Sequence, residues 1–186
     1  MPYLTRVELS SLGLRALGEN VLISDVARIH NPSKVSLGSD IRIDDFCVLS
    51  AGQGGIDIGN HVHLGCFCSL IGAESIVLGD YSGLSARVSI FSSSDDYSGD
   101  AMTNPTVPVS LRRLRNARVR IGRHVVVGAG AVILPGVTIG DSAAIGALTL
   151  VSRDVMPSTI SLGVPARRVG MRAGGHLALE NSLATK

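Results

Sequence analysis

Five histidines, fifteen carboxylates and three cysteines are the side chains with which this chain of 186 residues can move protons, bind metal or attack carbon. Of the histidines, His63 has the most suggestive neighbourhood. It comes five positions after the aliphatic Ile58 and three before Cys66, in a register that points both side chains outward. An imidazole titrating near neutrality and oriented by a carboxylate is a usual general base. Asp95 and Asp96 are the expected carboxylates, because Asp95 also lies five positions after its aliphatic, Ile90. The residues alone leave open whether His63 or a loop carboxylate is the base. A lone Asp95 would need a raised pKa to deprotonate a hydroxyl. His61 and His124 read as polar corner residues, His30 falls in a poorly framed segment, and His176 lies in the tail.

The cysteines separate by register. Cys47 and Cys68 each fall four positions after an aliphatic, Ile43 and Leu64, so they are expected to stack inside as small apolar residues. Cys66 points the other way. Cys66-Phe67-Cys68 therefore cannot offer two sulfurs to one metal, and no metal site is expected. An odd number of cysteines forms no closed disulfide framework. Nothing near Cys66 in sequence activates it as a nucleophile.

What must position these groups is a repeat. An aliphatic residue recurs every six positions, most clearly at Ile121, Val127, Ile133, Ile139, Ile145 and Val151. Earlier triplets keep the frame: Leu37, Ile43, Leu49; Ile58, Leu64, Leu70; Leu78, Leu84, Ile90; and, more faintly, Leu17, Ile23, Ile29. Four residues after most of them stands a small or β-branched residue. A period of six grouped in threes fits short strands on three faces of a prism, with each coil burying its neighbours. Gln53 and Glu74 break the inward pattern, and the chain is expected to bulge there. Aromatics are only 3% and there is no Trp, so the core is narrow and aliphatic.

The repeat resembles that of the hexapeptide-repeat acyltransferases. Gly128-Ala129-Gly130, Pro135-Gly136-Val137-Thr138-Ile139-Gly140 and Gly163-Val164-Pro165-Ala166-Arg167 look most like the galactoside and maltose O-acetyltransferase branch and the O-acetyltransferases of surface-polysaccharide synthesis. The resemblance implies an all-β fold, a left-handed parallel β-helix over residues 17–169, with an N-terminal cap (1–16) and a C-terminal tail (170–186). It implies a homotrimer that moves an acetyl group from acetyl-coenzyme A to a hydroxyl or amino group of a sugar or nucleotide-sugar. It places coenzyme A along Ala129, Ala147, Ser152, Arg153 and Arg167. A long interruption, 95–118, is rich in turn formers and is expected to be extruded over the acceptor site of a neighbouring subunit. Its Tyr97 and Asn104, with Cys66, are expected to meet the acceptor. Two positions depart from the galactoside pattern: Asp95 stands where that branch has its catalytic histidine, and Cys66 where it has an asparagine. A non-catalytic β-helix scaffold that has lost its base is the competing reading. A metal-dependent hydratase on the same fold would need a third histidine near residues 80–95, where none occurs.

Net charge is only +2, which speaks against nucleic acid as a partner. No apolar run reaches membrane-spanning length and no leader pattern is evident, so the expected location is the cytoplasm.

Overall fold

A computed structural model describes residues 2–183. Its strands form three sheets of six, eight and six strands, the faces of a prism, parallel except where Arg167–Met171 turns back antiparallel to Thr159–Leu162 at the end of the second, plus a two-stranded ribbon. The sixfold repeat becomes three interior rows. On the first face Leu17, Leu37, Ile58, Leu78, Ile121 and Ile139 are successive partners. On the second they are Ile23, Ile43, Leu64, Leu84, Val127 and Ile145. On the third they are Ile29, Leu49, Leu70, Ile90, Ile133 and Val151. Leu17 and Ile29 in the first coil are half-buried; every other member is buried. Each such side chain contributes about 1.5–3 kcal/mol relative to exposure. Cys47 and Cys68 lie inside, as their register requires, their thiols donating at 3.1 Å to the carbonyls of Gly65 and Ser85.

The corners use left-handed backbone. One corner stacks Asn20, Asp40, His61, Tyr81, His124, Ser142 and Ser158, all at positive φ. Its rings lie face to face, His61 on Tyr81 at 4.7 Å and Tyr81 on His124 at 4.8 Å. At a second corner Phe46 stacks on Phe67, with the Arg87 guanidinium above. Close approach between coils demands glycine at Gly128, where a Cβ would sit 2.5 Å from the Ala147 nitrogen. At the third corner the extra residues around Gln53 and Glu74 form wide turns that bond to one another, Gly54 N–H to the Ala73 carbonyl at 2.8 Å. Gln53 and Glu74 are exposed there.

Both ends carry appendages. Helix α1, Arg6–Ser11, has a capping box made by Thr5 and Glu8, and it buries Leu9 over the open first coil. Helix α2, Gly175–Leu183, returns to the first corner. There His124 Nε2 lies 2.7 Å from Glu180 Oε2, and Arg172 donates to the carbonyl of His124 at 2.6 Å.

The excursion starts after Phe91. Ser93–Asp95 runs antiparallel to Leu114–Asn116, and Ala117 N–H donates to the Ser92 carbonyl at 3.0 Å. The segment therefore has regular structure that its turn-rich sequence did not suggest. Backbone groups leaving a solenoid still need partners, and a ribbon satisfies them. The first-face ladder closes beneath it, Leu78 pairing directly with Ile121.

Candidate active site

Along the second face, the outward row consists of Leu22, Arg42, His63, Gly83, Val126 and Ala144. His63 points outward because its neighbours Val62 and Leu64 fill the interior. Asp44, just past Ile43, turns its side chain back under this row and is only 6% exposed. Its Oδ2 lies 2.9 Å from His63 Nε2, and its Oδ1 accepts from Arg42 Nε at 2.6 Å. Burial pushes the Asp44 carboxyl up, but the bonds from His63 and Arg42 outweigh it and leave the pKa below the ordinary value. A carboxylate only accepts, so neutral His63 carries its proton on Nε2 and keeps the lone pair on Nδ1. A cavity of about 450 Å³ opens beside this cluster, lined by Asp44, His63, Cys66, Gly83, Ser85 and Val126 among others.

Within the protomer the carboxylate on His63 is Asp44; Asp95 and Asp96, expected to reach the imidazole across a subunit cleft, lie on the excursion. Sequence reading passed over Asp44 and Arg42. The only available signal was an offset of nineteen residues between Asp44 and His63, about one coil, and using it requires the exact stacking register. Asp95 sits at the outer end of the ribbon, opposite Leu114. It lines a second cavity with Phe91, Ser93, Tyr97, Leu134 and Pro135. Asp96 accepts from the backbone N–H and the hydroxyl of Ser98, both at 2.9 Å. Those bonds, backbone first, lower its pKa, which suits a turn and weakens a base. Tyr97 is 92% exposed. Asn104 holds a turn through Thr106, whose hydroxyl donates to it at 2.6 Å. Among the described residues, the His63 cavity is lined by none of the excursion, whereas Cys66 is part of its wall.

The residues expected along the coenzyme fall in two places. Ser152, Arg153 and Arg167 share a cleft with Asp154, Met156 and Arg168. Three guanidinium groups there suit phosphates. The carboxylate of Asp154 is already held by the Thr138 N–H at 2.7 Å. Ala129 and Ala147 are exposed at the second corner, in one column with Cys66 and Ala86. The column is traced by bonds from Arg87 to Cys66, Gly130 to Ala86 and Leu148 to Ala129. A lane of small residues therefore leads from the His63 cavity towards the C-terminal coils. It fits a pantetheine arm lying against backbone.

Comparison with known proteins places the chain among the hexapeptide-repeat transferases. The family model for bacterial transferase hexapeptide (six repeats) matches residues 118–153. The chain is 42% identical over 181 residues to the dTDP-4-amino-4,6-dideoxy-D-glucose acyltransferase of Escherichia coli, covering 97% of this chain and 94% of that one. It is 29% identical over 115 residues to galactoside O-acetyltransferase of Escherichia coli strain K12, covering 60% of this chain and 52% of that one. Among solved structures it superposes with a TM-score of 0.94 and 35% identity on AntD, an N-acyltransferase from Bacillus cereus, in complex with dTDP and 3-hydroxybutyryl-CoA; 98% of this chain and 96% of that one are covered.

Proposed function

We propose that this chain, which belongs to the hexapeptide-repeat family of left-handed β-helix acyltransferases and is an acyl-coenzyme A-dependent sugar acyltransferase, acylates the amino group of a nucleotide-linked amino sugar. The observation that carries the reading is the imidazole of His63 set on buried Asp44 at the mouth of a cavity. The chain around it is alike over nearly its whole length to an acyltransferase of a dTDP-linked amino sugar.

Acetyl-coenzyme A supplies the acetyl thioester. His63 Nδ1 takes the proton that the acceptor nitrogen sheds as it attacks the thioester carbonyl. The C–N bond forms, the C–S bond breaks, and the proton passes on to the departing sulfur. Asp44 fixes the tautomer and stabilises the imidazolium during transfer. The small column Cys66, Ala86, Ala129 and Ala147 lets the pantetheine lie close, while Arg153 and Arg167 meet its phosphates. A neutral amine is itself nucleophilic, so the demand on the base is modest.

The active assembly is a homotrimer in the cytoplasm. In it the excursion of one protomer, with Asp95, Tyr97 and Asn104, closes over the His63 cavity of the next. Two facts support this arrangement: the excursion is exposed, and it does not line its own protomer's His63 cavity. No helix among the described residues is long and apolar enough to cross a membrane.

The test is acetyl transfer from acetyl-coenzyme A to a dTDP-linked 4-amino sugar, followed by thiol release. His63→Gln should lower kcat by about 100- to 10,000-fold with coenzyme A affinity preserved. Near-normal turnover in His63→Gln together with loss in Asp95→Asn would move the base to the loop.

A further inference from the structure

The outward row of the second face contains a gap beside its base. Leu22, Arg42, His63, Val126 and Ala144 all carry side chains, and Gly83, between His63 and Val126, carries none. The gap is not forced by packing. A Cβ at Gly83 would meet nothing within 4 Å, and its φ is not in the left-handed region. Backbone geometry and coil spacing would accept any residue, unlike at Gly128, where Ala147 leaves no room. The missing side chain instead deepens the cavity that His63 overlooks. On the far side of His63, Arg42 uses only its Nε on Asp44. Among the described residues its two Nη groups make no bond, and the side chain is about half-exposed.

We infer that this row is the acceptor's seat, with the sugar ring in the Gly83 slot against His63 and the diphosphate of a nucleoside diphosphate sugar on the free Nη groups of Arg42. The inference rests on the proposed acyl transfer and adds the polarity of the complex. The order along the face is cation, base, slot, then Val126 and Ala144, with the small column that runs to Ala129 and Ala147 at the adjoining corner. An acceptor arriving from the Arg42 end and a thioester arriving from the Ala147 end meet at His63. The guanidinium presents a paired N–H edge of the kind that matches phosphate oxygens. Its Nε anchor on Asp44 holds that edge in place without neutralising it by a second carboxylate.

Gly83→Val fills the slot without clashing with the coil. It should raise KM for the nucleotide-linked amino sugar at least 10-fold, with melting temperature and KM for acetyl-coenzyme A unchanged. Arg42→Gln should weaken binding of thymidine diphosphate, measured by titration calorimetry on the intact protein, by 10-fold or more. Arg42→Lys, which keeps a charge but loses the fork, should fall between. The calorimetric readout separates anchoring from any loosening of Asp44, which would appear in kcat instead. Unchanged acceptor KM in Gly83→Val overturns the slot. So does a rise in KM for acetyl-coenzyme A alone, which would give the slot to the coenzyme. Equal affinity of wild type and Arg42→Gln for the nucleotide, or none in either, overturns the anchor. A wild-type protein that binds thymidine diphosphate through Arg42 yet transfers no acyl group would instead sink the proposed reaction and leave this site standing.

Discussion

The coils before the excursion and those after it are built on the same interior rows but differ on the outside. Before it, coils are joined through wide third corners, and the outward row carries Arg42, His63 and an open glycine over buried Asp44. After it, coils are shorter, Ile121 pairing with Ile139 eighteen residues on and Ile145 with Ser161 sixteen on, and the second corner offers Ala129 and Ala147. Coil approach demands glycine in both halves, at Gly65, where a Cβ would sit 2.8 Å from the Ala86 nitrogen, as at Gly128; only the later coils follow it with a smooth lane of small residues. The earlier coils put their extra residues into the third corner and carry the charged cluster of Arg42, Asp44 and His63 on the second face. The irregular half can hold proton chemistry, and the regular half can hold an extended chain such as pantetheine.

The excursion divides the two halves, and removing it should have the largest effect. The ladder Leu78 to Ile121 is continuous beneath it, and Ala117 already bonds to Ser92. Replacing residues 95–114 by a two-residue turn should preserve the fold by circular dichroism while lowering transfer by about 100-fold or more, the scale on which lost positioning acts. Full activity would mean that the cavity is complete without the loop.

Interior rows should be less sensitive to which half is cut. Leu64→Ala before the excursion and Ile133→Ala after it remove fully buried side chains and should each cost about 2–5 kcal/mol in chemical denaturation. A much smaller cost would mean that the coils collapse to fill the void. In the regular half, Arg167→Ala should raise KM for acetyl-coenzyme A by about 10-fold, the scale of one charged hydrogen bond, and leave kcat and acceptor KM alone. A fall in kcat instead would put Arg167 beside the chemistry and break the division between halves.

The interior was legible because its signal is local. Each aliphatic repeats at six, and the partners Ile43 to Leu64 or Ile133 to Val151 follow from counting. The inward cysteines came from the same count. The site was less legible because its contacts run between coils. Arg42 is the register partner of His63, and Asp44 reaches the imidazole diagonally from two positions further on, a side-chain contact that a period of six does not contain. Asp96, expected near the base by type and position, holds a turn with Ser98 within its own protomer, which its sequence did not reveal. His124 and His176 looked unrelated in sequence. A helix that returns along the solenoid brings their rings to 5.1 Å.

That returning helix supplies the smallest expected effect. Glu180 faces His124 Nε2 at 2.7 Å and also meets Arg123, and around them stand Tyr81, Asp80, His176 and Arg172. Its pKa is lowered, first by the bond from His124, with Arg123 adding to the effect. A depressed carboxyl contributes stability that is present above its unfolded value, about 4.3, and is lost as pH falls through the lower folded value. Glu180→Gln should therefore lower the melting temperature by no more than about 4 °C at neutral pH. The wild-type and variant melting curves should converge below about pH 4. Transfer kinetics should not change, because the cavity at this corner, lined by Tyr81, His124, His176 and Glu180, shares no residue with the His63 cavity. A gap in melting temperature that persists in acid would assign the effect to packing of α2 rather than to its charge. A change in acceptor KM would show that the tail reaches the site, and the two halves would then be coupled through their ends rather than kept apart by the excursion.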